Sequence, residues 1–444
     1  MQKSFLNVRK INFLFLAAFS IFLLQACVPK ENTNTANTTN SSINSTQNTN
    51  SSNDENASTD VEPYGQDENL SEQQVEQGRL DQDWKKFVQL DASTEKNNTP
   101  NKEKWSDVTA ENINNQKQYL PLSGNVAGAS VFRVQILLDR TNFSPGIVDA
   151  KWGKNTEKAV YWLQKKEGLP ANGQVDQKTF QRLIELAGNP EKLVVERKLS
   201  EKDVAGEFKK LPGDIYEKAK MDCMCYESLE EKLSEMFHTS PALLKQLNPN
   251  VTLNDLKAGD SIFVPNLQTP MVLDKDSKAE KSDASNGENT KKDVARIVVS
   301  DGGHFVHGLD SAGQIVVHYP STLGSEYNPS PSGEYKINSV TKNPWWHYQP
   351  KLLNEGSGPN ARIPPGPNNA VGLVWMDLSK PHYGIHGTSA PETIGYATSH
   401  GCIRLTNWDA LDLGGRIEKG VPVEFRDTVN RSDDSQGNSN KKTG

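Results

Sequence analysis

The stretch "ATSHGCIRLTN", residues 397–407, places a histidine, a glycine, a cysteine and an arginine within five positions. A cysteine nucleophile needs a base to take its proton, hydrogen-bond donors for the oxyanion, and a backbone that approaches the substrate closely. His386 and His400 are candidate bases, and a neighbouring imidazole is expected to lower the pKa of the Cys402 thiol. Arg404, two positions after Cys402, would project to the same face of a strand and could bind a carboxylate.

Gly401 lacks a side chain beside the thiol, which leaves room for a substrate backbone. The amides of Gly401 and Cys402 are candidate donors of an oxyanion hole. The same region also permits a metal interpretation, because it contains four side chains of zinc-ligand type and one spare carboxylate, namely His382, His386, His400, Cys402 and Glu392.

The elements that must position this site are mostly strands. Short apolar segments between Gly, Pro and Asn turns predict strands in "ARIVVS", "QIVVHYP", "GEYKINSVT", "GLVWMDL" and "VPVEFR". One helical stretch is predicted near 407–417. We therefore expect a mostly β domain over 293–428, in which His304, His307 and His318 occupy strand surface positions because they alternate with apolar residues.

The segment "HGTSAPETIGYATSHGCIRLTN", with "SPSGEY" at 330–335, resembles the signature of the YkuD-type L,D-transpeptidases. The resemblance implies a YkuD-type β-sandwich in which Cys402 is the acylated nucleophile and His386 its base. It makes His400 and Gly401 the motif residues beside the thiol, and Arg404 fills the position of an Arg or Asn. Gly387 follows the base where some members have Ser, so we expect a backbone carbonyl to orient His386.

This resemblance implies a two-step acyl transfer in cell-wall remodelling. The thiol attacks a peptidoglycan stem tetrapeptide and releases its terminal D-alanine, and the thioester then passes to an amine, which gives a 3→3 cross-link or a related exchange. No metal or other cofactor is implied. Two alternatives remain open at this point: a zinc-dependent wall hydrolase, and a non-catalytic peptidoglycan-binding lipoprotein.

A small three-helix unit is predicted over 121–190. Apolar residues recur at helical spacing after Asn155-Thr156, and again after a predicted Asp176 cap. This unit resembles the peptidoglycan-binding type 1 domain, a likeness carried by Asp149, Gly153, Thr156, Ala159, Val160, Gln164, Gly173 and Asp176.

A second unit, α+β in character, is predicted over 214–267 as two helices, a turn and a strand. It resembles the LysM module, which implies binding to glycan strands, and "LNPN" and "LKAGD" carry the likeness. The usual first strand is replaced by "YEKAKMDCMC". For Cys223 and Cys225, free or intermittently oxidised thiols and a redox or metal role remain equally open. A charged linker is expected over 268–292.

The N-terminal residues 1–26 read as a secretory signal, in which a basic start precedes 16 uncharged residues. Leu24-Gln25-Ala26-Cys27 resembles a bacterial lipobox, which implies lipidation of Cys27 and a membrane anchor. Val28 follows where a retention signal would have Asp, so we expect the outer membrane, facing the periplasm, if the cell has two.

Low complexity follows the lipobox, since 18 of the 22 residues over 31–52 are Asn, Ser or Thr. Such a segment buries little apolar surface, so 27–120 is expected to be a disordered tether and 429–444 a disordered tail. A net charge of −7 with mixed signs argues against nucleic-acid binding. The resulting multidomain arrangement predicts separable modules, so that loss of residues 120–270 would spare turnover of soluble muropeptides.

Overall fold

A computed structural model describes residues 103–115, 117–268, 271, 292–353 and 355–426. The signal sequence, Cys27, nearly all of the tether, most of the linker and the tail lie outside the described residues. Within those residues, no helix is both long and apolar enough to cross a bilayer.

The first unit is helical, and three of its helices lie within the predicted range 121–190. Its helices are α1 (Ala110–Asn115), α2 (Ala129–Arg140), α3 (Lys154–Lys166) and α4 (Gln177–Leu186). Helix α1 lies within 27–120, so the expectation of a disordered tether up to residue 120 is wrong, because Val108 and Ile113 are buried in the folded unit. The Asp176 carboxylate accepts a hydrogen bond from the Thr179 amide at 2.8 Å, which confirms the predicted cap. The apolar stripe of α3 packs against α2 and α4, and the Trp162 side chain is fully buried.

The second unit contains the β1 strand (Val194–Lys198), helices α5 (Glu201–Val204), α6 (Ile215–Lys218), α7 (Leu229–Met236) and α8 (Pro241–Leu247), and the β2 strand (Ser261–Pro265). Strand β1 pairs antiparallel with β2. The predicted start at 214 is therefore too late, because the first strand lies at 194–198. That strand is mostly polar and exposed, so its sequence carries no buried apolar pattern.

Residues 199–228 separate β1 from α7 and reach the third unit. The Met224 amide donates to the Pro365 carbonyl, and the Asn368 amide donates to the Met224 carbonyl, both at 2.9 Å. Cys223 and Cys225 form a disulfide on either side of Met224. This insertion thus holds the chain near Pro365 by two backbone hydrogen bonds.

The third unit is mostly β, as predicted. Its strands are β3 (Arg296–Ser300), β4 (Phe305–Leu309), β5 (Ile315–Pro320), β6 (Gly333–Lys342), β7 (Trp346–Tyr348), β8 (Ala361–Ile363), β9 (Val374–Leu378), β10 (Gly384–His386), β11 (Ile403–Arg404) and β12 (Pro422–Arg426). The predicted helix is α9 (Asn407–Arg416). Strands β7 and β8 form a separate hairpin.

The strands other than that hairpin form one eight-stranded sheet among the described residues, in the order β11-β10-β9-β6-β12-β3-β4-β5. The expected sandwich of two sheets is therefore replaced by one curled sheet. Strand β6 pairs with β12 through its first residues and with β9 through its last, so it belongs to both halves. Thr322, just after edge strand β5, bridges Arg404 on the opposite edge, which brings the two edges together.

The helical unit and the sheet share one apolar core. Trp162 of α3 makes edge contacts with the rings of Phe305 and His307 on β4, at centroid distances of 5.1 and 4.6 Å. His307 and His318 are fully buried and lie 3.0 Å apart, from Nε2 to Nδ1, and His304 lies in the turn before β4. The expectation that these histidines lie on a strand surface is wrong, because helix α3 covers that face.

Charged groups are also buried at this junction. The Lys158 ammonium donates to the carbonyls of Gly303 and His304, each at 3.1 Å. Burial lowers the pKa of Lys158 to about 7. This shared core argues against separable modules, since removal of residues 120–270 would expose the apolar face of β3 to β5 to water.

We expect Trp162→Ala to lower the free energy of unfolding by about 3–5 kcal/mol, because it opens a cavity between helix α3 and the sheet. Denaturant unfolding followed by circular dichroism and by Trp fluorescence would measure this loss. Trp105→Ala, at a position 39% exposed, is the matched control and should change stability by less than about 0.5 kcal/mol. A loss below about 1 kcal/mol for Trp162→Ala would contradict the shared core.

Candidate active site

Two adjacent parallel strands carry the residues of the predicted site. Strand β10 pairs with β11 so that His386 lies opposite Arg404. Cys402 immediately precedes β11, and the charge of Arg404 acts on both the Cys402 thiol and the His386 imidazole, so the three groups lie near one another. The Cys402 thiol is partly accessible and donates to the carbonyl oxygen of His382 at 3.8 Å. The fold thus brings the predicted nucleophile, base and arginine close together.

The imidazole of His386 is buried and held on one side by its own backbone. Its Nδ1 lies 2.7 Å from the carbonyl oxygen of Gly387, and its ring stacks on Trp375 at 5.4 Å. Because a carbonyl can only accept, Nδ1 carries the proton and Nε2 keeps its lone pair. The prediction that a backbone carbonyl orients His386 is confirmed.

Both reacting groups are neutral in the resting site. Burial and the nearby Arg404 guanidinium lower the pKa of His386 to about 3. Burial raises the pKa of the Cys402 thiol above its ordinary value, against the opposing effects of a Gly384 backbone hydrogen bond and of Arg404. The expectation that an imidazole lowers the thiol pKa is therefore wrong, because desolvation outweighs the favourable charge of Arg404.

A tight turn before the cysteine is fixed by Ser399. Its hydroxyl donates to the carbonyl of Cys402 at 2.6 Å and accepts from the amide of Gly401 at 3.1 Å. Gly401 has φ +108°, and a Cβ there would lie 2.9 Å from the ring of Tyr383. Only glycine fits this position. The Gly401 amide is already bonded to Ser399, which corrects the expectation that it is available as an oxyanion donor in this conformation.

His400 and Arg404, the other two predicted site residues, have different surroundings. His400 is half-exposed, and its Nε2 lies 3.7 Å from the Glu355 carboxylate. The Nε of Arg404 is buried and has no hydrogen-bond partner among the residues that the structure describes. Burial lowers the pKa of Arg404, with the Cys402 thiol opposing that shift. Arg404 therefore offers an unused donor beside the thiol.

The zinc-site interpretation finds no support in this geometry. His386 uses Nδ1 on a carbonyl, His382 presents its carbonyl to the thiol, and His400 faces Glu355. Across the described parts of the chain, no group of three or more His, Cys, Asp or Glu side chains is arranged to hold a metal ion.

Accessory contacts hold the loop between His386 and the cysteine turn. The Asn155 side chain, at the start of α3, donates to the Ile394 carbonyl at 2.8 Å. The Thr322 hydroxyl donates to the Thr393 carbonyl and accepts from the Gly395 amide. Sequence reasoning did not identify Ser399 or Asn155 as functional, and only the motif position of Ser399 offered a signal.

Comparisons with known proteins agree with this site. The profile of the L,D-transpeptidase catalytic domain, YkuD, matches residues 294–425, and that of a peptidoglycan binding domain matches 127–183. The L,D-transpeptidase YkuD of Bacillus subtilis is 31% identical over 195 residues, which are 44% of this chain and 89% of that protein. This chain belongs to the YkuD family of L,D-transpeptidases.

A second YkuD relative, from Bacillus licheniformis, is 29% identical over 195 residues, covering 44% of this chain and 92% of its own. Among solved structures, L,D-transpeptidase 3 from Mycobacterium tuberculosis is 17% identical, with a TM-score of 0.26, over 30% of this chain and 61% of that one. The membership in this family makes the chain an enzyme of cell-wall peptidoglycan, and the matched helical unit is its peptidoglycan-binding domain.

We expect two reactions of Cys402 to differ in their pH dependence. Alkylation by iodoacetamide needs thiolate, so its rate should keep rising through about pH 9, because burial raises the thiol pKa. Acylation needs only neutral His386, whose pKa is about 3, so its rate should stay level from about pH 5 to about pH 8. Intact-protein mass spectrometry gives both rates. A plateau of alkylation below about pH 7 would indicate a thiolate–imidazolium pair instead.

Ser399→Ala should lower the acylation rate about 10-fold or more, because it removes both hydrogen bonds that fix the turn. Ser399→Thr keeps the hydroxyl and should stay within about threefold of the parent. The matched control is Ser325→Ala, since that hydroxyl accepts from the Asn328 amide in the neighbouring loop. Equal acylation rates for Ser399→Ala and the parent would show that the turn keeps its conformation without the Ser399 hydroxyl.

Proposed function

We propose that Cys402 is the nucleophile of a two-step acyl transfer between peptidoglycan stem peptides, with His386 as its base. The single observation that carries this assignment is the convergence of Cys402, which immediately precedes β11, with His386 and Arg404, which are paired on β10 and β11. Family membership supplies the reaction class, and the geometry supports a distinct task for each of these side chains.

In the first step, Nε2 of His386 takes the thiol proton as Sγ of Cys402 attacks the carbonyl carbon of the third residue of a stem tetrapeptide. The bond from that carbon to the nitrogen of the terminal D-alanine then breaks. The departing nitrogen takes the proton back from His386, and a thioester remains on the enzyme. Since both groups start neutral, proton transfer accompanies attack rather than preceding it.

In the second step, an amine of another stem attacks the thioester carbon and gives its proton to His386. The carbon–sulfur bond breaks and Sγ of Cys402 takes that proton, so the enzyme is restored. A side-chain amine gives a 3→3 cross-link, and a D-amino acid gives exchange. The same histidine thus serves as base and acid in both steps.

Arg404 and the cysteine turn would hold the substrate. The unpartnered, buried Nε of Arg404 is suited to a stem-peptide carboxylate, for which a guanidinium offers paired donors. For the oxyanion we assign the Cys402 amide, with Gly401 joining only if its bond to Ser399 opens. His400, beside Glu355, is half-exposed and would lie at the rim.

The second unit is proposed to be a LysM-like glycan-binding module with a revised boundary. Strand β1, helices α7 and α8 and strand β2 follow in βααβ order, and β1 pairs with β2. The module would begin at 194 rather than 214, with residues 199–228 as an insertion. This module would bind glycan strands of the cell wall, and the active site would process the stem peptides of that same wall.

A lipid anchor at Cys27 is proposed for the exported chain. The support is the lipobox-like Leu24-Gln25-Ala26-Cys27 after an apolar segment. The enzyme would then work in the cell envelope, on the periplasmic side of the outer membrane in a cell with two membranes. Globomycin treatment should leave the chain at its precursor mass, and Cys27→Ala should remove the acylated form.

The catalytic proposal is tested with purified disaccharide-tetrapeptide. The parent enzyme should gain the mass of the acyl group at Cys402 and should release D-alanine. Cys402→Ala should do neither. Arg404→Gln should raise KM for the tetrapeptide about 10-fold or more, because a charged hydrogen bond is lost. Modification that survives in Cys402→Ala, or D-alanine release that chelation alone abolishes, would refute the assignment.

A further inference from the structure

The first turn of helix α9 is held by side chains from outside the sheet. The Asn407 amide donates to the Glu235 carboxylate at 2.6 Å, and the ring of Trp408 stacks on His238 at 4.8 Å. The Asp409 carboxylate accepts from the Ser144 hydroxyl at 3.0 Å. Consecutive residues of α9 therefore contact α7, the loop after it and the loop after α2, directly downstream of the catalytic strand β11.

One of these contacts continues to the catalytic base. The Oδ1 of Asn407 accepts from the Leu373 amide at 3.0 Å, and a Cβ on Gly387 would collide with that same oxygen. The Asn407 side chain thus lies directly against the backbone of Gly387. The Gly387 carbonyl in turn holds Nδ1 of His386 at 2.7 Å. Glu235 is therefore two contacts away from the peptide group that orients the base.

Glu235 is an unusual group for an interface between modules. Its carboxyl is fully buried, and burial raises its pKa to about 7. Besides Asn407, the groups that act on it are Tyr226, Glu231 and Glu392, and no cation is among them. A buried carboxyl without a cation is costly, so an apolar residue would serve stability better. The Asn407 amide also donates to the Pro367 carbonyl at 3.2 Å, so the shorter of its two hydrogen bonds is the one to Glu235.

We propose that Glu235, on helix α7, is a positioning residue for His386 and acts through Asn407 and the Gly387 carbonyl. The proposal rests on the role of His386 as base. Glu235 precedes residues 294–425, so it lies outside the matched catalytic domain. The second unit thus takes part in catalysis through Glu235, in addition to its proposed role in glycan binding.

The test uses the full chain and compares Glu235→Ala with Glu235→Gln. Glu235→Ala should lower kcat for acyl transfer from the soluble tetrapeptide about 10-fold, with KM within about twofold, because the base loses its alignment while the substrate contacts remain. Glu235→Gln keeps an oxygen that accepts from Asn407 and should retain kcat within about threefold.

The matched control is Lys232→Met on the same helix. Lys232 donates to the carbonyls of Lys202 and Ala205, both within its own unit. This variant should lower the thermal midpoint yet keep kcat. If Lys232→Met lowers kcat as much as Glu235→Ala does, general destabilisation explains the loss and the proposal is overturned.

A second readout needs no substrate. Nitrogen-15 NMR of the His386 ring should show the Nδ1-protonated tautomer in the parent and in Glu235→Gln, and a mixture of tautomers in Glu235→Ala. An unchanged tautomer in Glu235→Ala, together with unchanged kcat, would overturn the positioning role. Failure of the parent enzyme to form a thioester would instead overturn the proposed function, so the two failures are distinguishable.

Discussion

The hydrogen bond from Nδ1 of His386 to the Gly387 carbonyl is the constraint on which this active site depends. The thiol and the imidazole are both neutral, so no ion pair draws them together. His386, the proposed base, therefore depends on a hydrogen bond and not on charge attraction to direct its Nε2 lone pair. The Gly387 carbonyl sets both the tautomer and the orientation of the ring. The packing of Gly387, Ser399 and Gly401 holds the backbone around His386 and Cys402 in place.

Buried polar groups join the three units into one structure. Lys158 is buried against the sheet, Asp409 binds Ser144, and Glu235 binds Asn407. Each such contact is costly when broken, because it leaves a polar group without water or a partner. Binding modules are commonly regarded as tethered devices that raise local substrate concentration. Here the two N-terminal units also pack against the domain that carries the candidate active site.

Local patterns predicted most of the secondary-structure elements, and the family resemblance implied the reaction class. The five predicted strands, helix α9 and the Asp176 cap follow from spacing and capping, which act over a few residues. The strands that were missed, such as β10 and β11, are too short to show a period. Strand β1 was missed because most of its side chains are polar and exposed. The curl of the sheet depends on contacts between its distant edges, which no local pattern encodes.

The sequence by itself identified the groups proposed to do the chemistry, since the motif that contains Cys402, His386 and Arg404 resembles that of the L,D-transpeptidases. Only the tertiary structure decided their protonation and support. A pKa depends on burial and on charges that the fold brings near, and here burial by distant segments keeps thiol and base neutral. Glu235, which binds Asn407, and Phe305, which contacts Trp162, each lie more than 100 residues from their partner, so only the folded structure could identify these contacts.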